Sequence, residues 1–201
     1  MRLFSSDPTH RGRAAPAIAV LAGTLLVTGC TGAETSPPTA VDSGAALLAE
    51  HGLDVRELVE SLDALPLDER TGTLTTAVSA EAVTLTDQHE HTAEVPLPDD
   101  EIYVSVAPYR SQTHDCYAHS PTGCRGELRN ADVRVSVTDT ASGEAIMDDD
   151  LKTFDNGFVG LWLPRGIETS ISITHDGRTA TSELSTIGDD AQTCLTTMRL
   201  V

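Results

Sequence analysis

Thiol and imidazole side chains are concentrated in one short segment of the chain, QTHDCYAHSPTGC at residues 112–124. The segment contains His114, Cys116, His119 and Cys124, although the chain of 201 residues has only four cysteines and seven histidines. Thiolates and imidazoles are the ligands that Cu(I) and zinc prefer. A turn at residues 120–123 would bring the two ends together. The segment is therefore a candidate site for a soft metal ion, although its spacing differs from the paired Cys-x2-Cys of a structural zinc ribbon.

A second interpretation of the same segment is a disulfide between Cys116 and Cys124. In the chain-entropy model, closing so short a loop stabilises a domain by about 2–3 kcal/mol. That pairing leaves Cys194 without a partner. The predicted C-terminal strand would either place Cys194 at the site or bury it in the core as a small apolar residue. An unpaired cysteine in an exported protein is typical of a reactive or metal-binding thiol. Spacing alone leaves both interpretations open.

The N-terminus predicts export and lipid anchoring. Three arginines precede a small apolar run at residues 14–29, which ends in Leu-Val-Thr-Gly-Cys. At about sixteen residues this run is shorter than a membrane-spanning helix, which needs about twenty, and its layout is that of a secretory signal. Residues 1–29 are therefore predicted to be a signal peptide with a lipobox, and residues 30–41 a lipidated Cys30 followed by a flexible tether rich in Thr and Pro. The protein is expected to be extracytoplasmic, in the periplasm or on the outer face of the plasma membrane.

The composition excludes some classes of partner. The formal charge of −18 becomes −20 when residues 1–29, with three arginines and one aspartate, are removed. Such an acidic domain is not expected to bind nucleic acid, whose phosphates require a basic surface; the acidic surface is instead explained by solubility. The sequence contains no motif for flavin, haem or nicotinamide, so any redox chemistry would depend on the cysteines.

The elements that position the cysteines change character along the chain. Residues 42–70 are predicted to be helical, with one helix at 43–51 and a second that begins at Asp54. Asp54 and Glu57 form a capping box, and the second helix has one apolar face made of Val55, Leu58, Val59, Leu62 and Leu65.

From Leu74 onward the hydrophobic period is two, which predicts strands separated by turns such as Asn156-Gly157 and Asp176-Gly177. The predicted strands are TAVSAEAVTLTD, AEVPLP, EIYVSVAP, DVRVSVTD, FVGLWLP, TSISITHDG, RTATSELST and CLTTMRLV. Trp162 is expected to anchor the core, and Asp148-Asp149-Asp150 to form a solvated turn. The predicted fold class is mainly β (α+β): an antiparallel β-sandwich or barrel-like domain at 71–201, with a small N-terminal helical segment.

Five stretches of the sequence resemble the CueP family of periplasmic copper-resistance proteins. They are LAEHGL with LVESLDALP, APYRSQTHDCYAHSPTGCRGEL, DNGFVGLWLPR and TCLTTMRL, and together they extend over most of the chain after residue 29. The resemblance implies three cysteines that bind copper, reduce Cu(II) to Cu(I) and pass copper to a periplasmic Cu,Zn superoxide dismutase. These cysteines correspond to Cys116, Cys124 and Cys194, with His114 and His119 in the same motif. The lipobox, tether and acidic surface depart from the family pattern, which bears on the delivery partner more than on the copper chemistry.

Two nearby thiolates can supply two electrons by forming a disulfide. The resemblance suggests Cys124 and Cys194 as the electron-donating pair, with Cys116 and His114 or His119 as ligands; spacing would equally allow Cys116 and Cys124. A thiol-reducing partner would then be needed for repeated turnover. Separately, two copies of the chain could associate through the helical segment, for which the sequence offers no residue-level argument.

The alternatives to a copper reductase are a copper-binding module without redox activity and a structural lipoprotein domain with a disulfide-stapled loop. His89 and His91 are a weaker candidate for a second metal site and are better explained as part of an exposed hairpin.

Overall fold

The structure is a computed structural model that describes Leu48 and residues 54–201. The predicted signal peptide, the lipidated Cys30, the tether and all but Leu48 of the helix at 43–51 lie outside the described residues. Among the described residues, no helix is both long and apolar enough to cross a membrane.

The described part of the chain consists of one helix followed by ten strands. The elements are α1 (Val55–Ala64), β1 (Leu74–Val78), β2 (Ala82–Asp87), β3 (Thr92–Pro96), β4 (Glu101–Tyr109), β5 (Asp132–Asp139), β6 (Ala145–Lys152), β7 (Val159–Pro164), β8 (Glu168–His175), β9 (Arg178–Ser185) and β10 (Cys194–Arg199).

The strands form three sheets. β1, β2 and β3 form an antiparallel meander, β10, β4 and β7 form a second sheet, and β6, β5, β8 and β9 form a third. All pairs are antiparallel except β10 with β4, which run parallel. The mainly β fold class, with one short helix before the strands, is therefore confirmed.

The main core lies between the second and third sheets. Alternate residues of β4, Ile102, Val104 and Val106, are fully buried in it. They contact apolar residues of β5, β7, β8 and β10 in one hydrophobic cluster. This arrangement follows from the period-two alternation, because successive side chains of a strand point to opposite faces.

The opposite face of β4 contacts the helix and the loop that follows β4. Tyr103 on this face belongs to a second cluster with Val59 of α1 and Val78 of β1. The helix begins as predicted, because Asp54 and Glu57 make both hydrogen bonds of a capping box. α1 buries two residues one turn apart, Val59 and Asp63, so a carboxyl group is inserted beside β4.

Three local predictions were wrong. The stretch predicted as one strand at 76–87 is the hairpin of β1 and β2, which pair in register. The three aspartates at 148–150 are not in a turn: they lie in the edge strand β6, where Arg134 of β5 pairs with Asp148 and Asp150. Trp162 lies outside the main core and is partly buried against Tyr103, with a centroid separation of 5.0 Å.

Candidate metal centre

The loop that connects β4 to β5, residues 110–131, carries four of the predicted site residues. Its start is fixed by the carboxylate of Glu127, which accepts hydrogen bonds from the backbone N–H groups of Arg110, Ser111 and Gln112 at 2.8, 2.9 and 3.1 Å. The hydroxyl of Ser111 also donates to this carboxylate, and these hydrogen bonds lower the pKa of Glu127 to about 2.

The middle of the loop is attached to two strands. The carbonyl of His119 accepts from the N–H of Val78 in β1 at 2.7 Å, and the carbonyl of Tyr117 accepts from the N–H of Cys194 in β10 at 3.0 Å. The hydroxyl of Thr193 accepts from the N–H of His119 and donates to the carbonyl of Val78. These bonds place the loop cysteines beside the first residue of the C-terminal strand.

The three sulfur atoms meet at this point. Cys116 and Cys194, which are 78 positions apart in the sequence, form a disulfide with a Cα–Cα distance of 5.5 Å. The thiol of Cys124 is free, and its sulfur lies 3.6 Å from that of Cys116. The structure thus pairs Cys116 with Cys194 and not with Cys124, the pairing that the stapled-loop interpretation required.

Both predicted histidines lie at the sulfur cluster. Two groups of three residues each place their potential ligand atoms within 4.8 Å of one another. The first group is His114, Cys116 and Cys124, and the second is His119, Cys124 and Cys194. His114 is on the exposed side and His119 is fully buried. The structure therefore brings together all five residues suggested as ligands, while their roles as ligands stay predictions.

The ring of His119 is fixed by a buried carboxylate. Its Nε2 atom lies 2.9 Å from Oδ1 of Asp63, and the ring packs against Phe158 with a centroid separation of 4.7 Å. The Nδ1 atom is buried without a well-formed hydrogen bond. Because Nε2 is occupied by Asp63, Nδ1 is the nitrogen left to bind a metal ion beside the sulfurs. Carboxylate–histidine–metal arrangements of this kind orient the ring and fix its tautomer.

Asp63 is fully buried and receives hydrogen bonds from several elements. The hydroxyls of Tyr103 and Ser105 in β4 donate to Oδ2 at 2.8 and 2.5 Å, and the amide of Asn156 donates to Oδ1 at 2.6 Å. A carboxylate has about four acceptor positions and no donor, so these groups together with His119 satisfy it. The network links α1, β4, the turn before β7 and the loop at residues 110–131, which we call the metal loop.

The buried ionisable groups of the site shift one another's pKa values. Burial opposes the charged form of His119, but the hydrogen bond to Asp63 and the nearby sulfur of Cys124 raise its pKa to about 9. Burial likewise raises the pKa of the Cys124 thiol, but the neighbouring imidazole and the N–H of Ser120 have the larger combined effect and lower it. The pKa of Asp63 is lowered because His119 and the hydroxyl donors outweigh its burial. The favoured state is an ion pair of imidazolium and thiolate, and a thiolate is the reactive form of cysteine.

Sequence reasoning missed Asp63 and Asn156. Asp63 lies four residues after Val59, on the predicted apolar face of α1, so its polar side chain interrupts the apolar pattern. That interruption was the available signal. Asn156 was assigned only to a turn, yet its side chain is fully buried and its Oδ1 also accepts from the N–H of Phe158.

The second histidine pair lies elsewhere, at the tip of the β2–β3 hairpin. His89 and His91 are exposed, with ring centroids 6.0 Å apart, and Nδ1 of His91 is paired with Asp87 at 3.0 Å. This geometry fits the interpretation as an exposed polar hairpin.

Comparison with known proteins identifies the family. The sequence model described as periplasmic copper-binding protein CueP matches residues 57–199. A solved crystal structure of the protein S.CueP superposes with a TM-score of 0.69 at 35% sequence identity, covering 79% of this chain and 99% of that chain. No curated protein matches. The matched region contains both Asp63 and Cys194, and this chain belongs to the CueP family of periplasmic copper-binding proteins.

Proposed function

We propose that the protein binds copper at the Cys/His cluster outside the cytoplasm and reduces Cu(II) to Cu(I) with its cysteine thiols. The observation that carries the proposal is the convergence of three sulfurs with the unpartnered Nδ1 atom of buried His119. Thiolate sulfur stabilises Cu(I) more than Cu(II), so a cluster with three sulfurs favours the reduced ion.

The electron balance of this reaction closes on the protein alone. Two thiolates transfer two electrons to two Cu(II) ions and become one disulfide. The third sulfur, together with an imidazole, remains to hold Cu(I). The thiolate character of Cys124 supports this chemistry, because His119 and the loop lower the pKa of the thiol. A thiol-reducing partner would restore the cysteines for the next round.

The electron-donating pair is assigned to Cys124 and Cys194, as the family resemblance suggests. The disulfide between Cys116 and Cys194 and the 3.6 Å separation of Cys116 from Cys124 make the other two pairs serious alternatives. Single serine variants distinguish the three pairs. The assignment is abandoned if Cys194→Ser reduces copper at the rate of the unsubstituted protein.

The proposal is tested with the soluble chain that begins after Cys30, fully reduced and mixed with Cu(II) and a dye specific for Cu(I). Dye colour with the loss of one thiol per Cu(I) supports reduction by the cysteines. Copper retained without loss of thiols would instead make the protein a binding module. If copper is neither retained nor reduced, the remaining interpretation is a structural domain with a disulfide. His119→Ala should weaken Cu(I) retention, and His89→Ala, at the distant hairpin, is the matched control.

Anchoring and delivery complete the proposal. Acylation of Cys30 by more than one chain would hold the domain firmly at the membrane, and Cys30→Ser should move the protein from the membrane fraction to the soluble fraction. Copper resistance would follow from sequestration of Cu(I) or from its transfer to an acceptor such as Cu,Zn superoxide dismutase. Transfer predicts that copper-loaded protein restores activity to copper-free dismutase, and that Cys124→Ser does so poorly.

A further inference from the structure

The free thiol of Cys124 lies directly beside the disulfide. Its sulfur is 3.6 Å from the sulfur of Cys116, whereas the length of a disulfide bond is about 2.05 Å. A closing movement of about 1.5 Å would therefore convert this contact into a bond. Residues 110–131 contain no regular strand, and their backbone bonds to β1 and β10 are made by His119 and Tyr117, so a shift of the segment around Cys124 can provide this movement without breaking a sheet.

The three cysteines differ in their access to solvent. Cys194 is fully buried against Ala107 and Phe158, while Cys116 and Cys124 are half-buried on the loop. A disulfide that includes Cys194 therefore has one sulfur that an external thiol cannot reach. A disulfide between the two loop cysteines would present both sulfurs near the surface.

We propose that the protein exchanges its disulfide internally, with Cys124 attacking the sulfur of Cys116 and releasing Cys194. The Cys116–Cys124 bond forms as the Cys116–Cys194 bond breaks, so no oxidant or reductant is consumed. The proton of the Cys124 thiol ends on the Cys194 sulfur. This inference rests on the redox role of the cysteines under the proposed function and adds a step to it.

His119 is placed to carry that proton. Its ring nitrogen and the sulfurs of Cys124 and Cys194 lie within 4.8 Å of one another. The same ring can therefore accept the proton from the attacking sulfur and donate it to the leaving one. Asp63 acts as a positioning residue, because its hydrogen bond to Nε2 directs Nδ1 toward the sulfurs. General acid–base assistance of this kind is worth about 10²–10⁴-fold in rate.

The exchange explains why a third cysteine is useful. After the exchange, the disulfide no longer includes buried Cys194 but joins Cys116 and Cys124 on the loop. A thiol reductant can attack it there. At the same time Cys194 becomes a free thiol next to His119. The loop thus connects a buried copper-binding position to a surface position at which the cysteines are re-reduced.

The test follows the disulfide isomers without copper, so failure of copper reduction and failure of exchange are distinguishable. The chain that begins after Cys30 is oxidised with one equivalent of diamide, either folded or in urea. In urea the short separation favours the Cys116–Cys124 isomer. After dilution of the urea, samples are quenched in acid, labelled with N-ethylmaleimide and digested with pepsin, and mass spectrometry identifies the labelled cysteine.

Both preparations should reach the same ratio of label on Cys124 to label on Cys194, with no reductant added. If the folded protein keeps its starting isomer for hours, or if the Cys116–Cys124 isomer never forms in it, the proposal is overturned. Copper reduction with no exchange would overturn this inference alone, and exchange without copper reduction would overturn only the proposed function.

The proton-carrying role is tested by rates. His119→Gln and Asp63→Asn should each slow the approach to the final ratio about tenfold or more. Ile102→Ala removes packing on the apolar face of β4, away from Asp63, and should change the rate less than about twofold when the variant is folded. Equal slowing in Ile102→Ala would show that loss of packing is responsible and would overturn the role of His119. If the variants do not fold, the unsubstituted protein decides: exchange in D2O must be slower than in H2O, and equal rates would overturn proton transfer as part of the step.

Discussion

The two faces of β4 illustrate two ways of stabilising a small β-domain. On one face, Ile102, Val104 and Val106 lie in a core made mainly of apolar side chains. On the other, Tyr103 and Ser105 donate hydrogen bonds to buried Asp63, which in turn holds His119 beside the sulfurs. The first face requires only apolar groups of suitable volume, whereas the second requires particular donors and acceptors at particular places.

The polar face also has stricter steric requirements. A Cβ atom at Gly160 of β7 would occupy the position of the Tyr103 hydroxyl. Glycine at this position lets the tyrosine ring cross the neighbouring strand and reach Asp63. Substitutions on the apolar face should therefore reduce stability without changing the chemistry, and substitutions on the polar face should change both.

The largest loss of stability is expected on the apolar face. Ile102→Ala removes a fully buried side chain and leaves a cavity, which lowers the free energy of unfolding by about 2–5 kcal/mol. Urea denaturation of the oxidised protein measures this change. The same variant should reduce Cu(II) at the unsubstituted rate at temperatures where it is folded. A large loss of that rate would mean that the two faces are not independent.

Asp63→Asn should have a smaller effect on stability and a larger one on chemistry. An amide presents a donor where the carboxylate accepted from Tyr103, Ser105, Asn156 and His119. A buried polar group left without a partner costs about 1–3 kcal/mol. Denaturation measures that cost, and Cu(I) retention measures the altered orientation of His119. A variant with the stability and copper retention of the unsubstituted protein would show that the network is dispensable.

The sequence predicted the elements that have a clear local pattern. The capping box of α1 and most of the strands follow from hydrogen-bonding residues and alternation within a few positions of one another. β1 and β2 were merged because their connection, residues 79–81, has no glycine, proline or asparagine to signal a turn. β6 was missed because it is an edge strand whose exposed side carries aspartates, and these interrupt the apolar alternation.

The parts of the site that depend on tertiary structure could not be predicted. The identity of the cysteines was visible in the sequence, but their pairing depends on how the parallel register of β10 with β4 places Cys194 opposite Ser105. Asp63 interrupts the apolar face of α1 in the sequence, but its partners are defined only when the helix is packed against β4. Asp63 and Cys194 are each separated from the metal loop by more than forty residues, and local pattern carries no information over that distance.

The pH dependence of the unfolding free energy separates the contribution of His119 from that of Cys124. The pKa of His119 is raised from 6.5 to about 9 in the folded state, so its stabilising contribution is complete below pH 6.5 and is lost as the pH rises through 9. The pKa of Cys124 is lowered from 9, so its contribution is present above pH 9 and is lost as the pH falls through the lowered value. Between these limits the two slopes oppose each other, and the unfolding free energy of the unsubstituted protein should vary little.

Cys124→Ser removes the contribution of the thiol to the pH dependence of the unfolding free energy and leaves that of His119. The unfolding free energy of this variant should then fall by about 1 kcal/mol or more between pH 6.5 and 9, since one pKa unit corresponds to about 1.4 kcal/mol and Asp63 still supports the imidazolium. Urea denaturation at the two pH values measures the difference. A variant with as flat a profile as the unsubstituted protein would contradict the assignment of His119 as a charged, buried partner.

The smallest effect is expected at Glu127, a half-buried carboxylate that fixes the start of the metal loop. Glu127→Gln weakens the hydrogen bonds from Arg110, Ser111 and Gln112 and should change the unfolding free energy by less than about 1 kcal/mol. The effect should be local, with faster hydrogen exchange at these three amides and unchanged exchange in β8. Because the pKa of Glu127 is lowered from 4.5 to about 2, its contribution is complete above pH 4.5 and is lost as the pH falls through 2. The difference between the two proteins should therefore disappear in acid, and a difference that persists at pH 2 would mean that the loop is held by something other than this carboxylate.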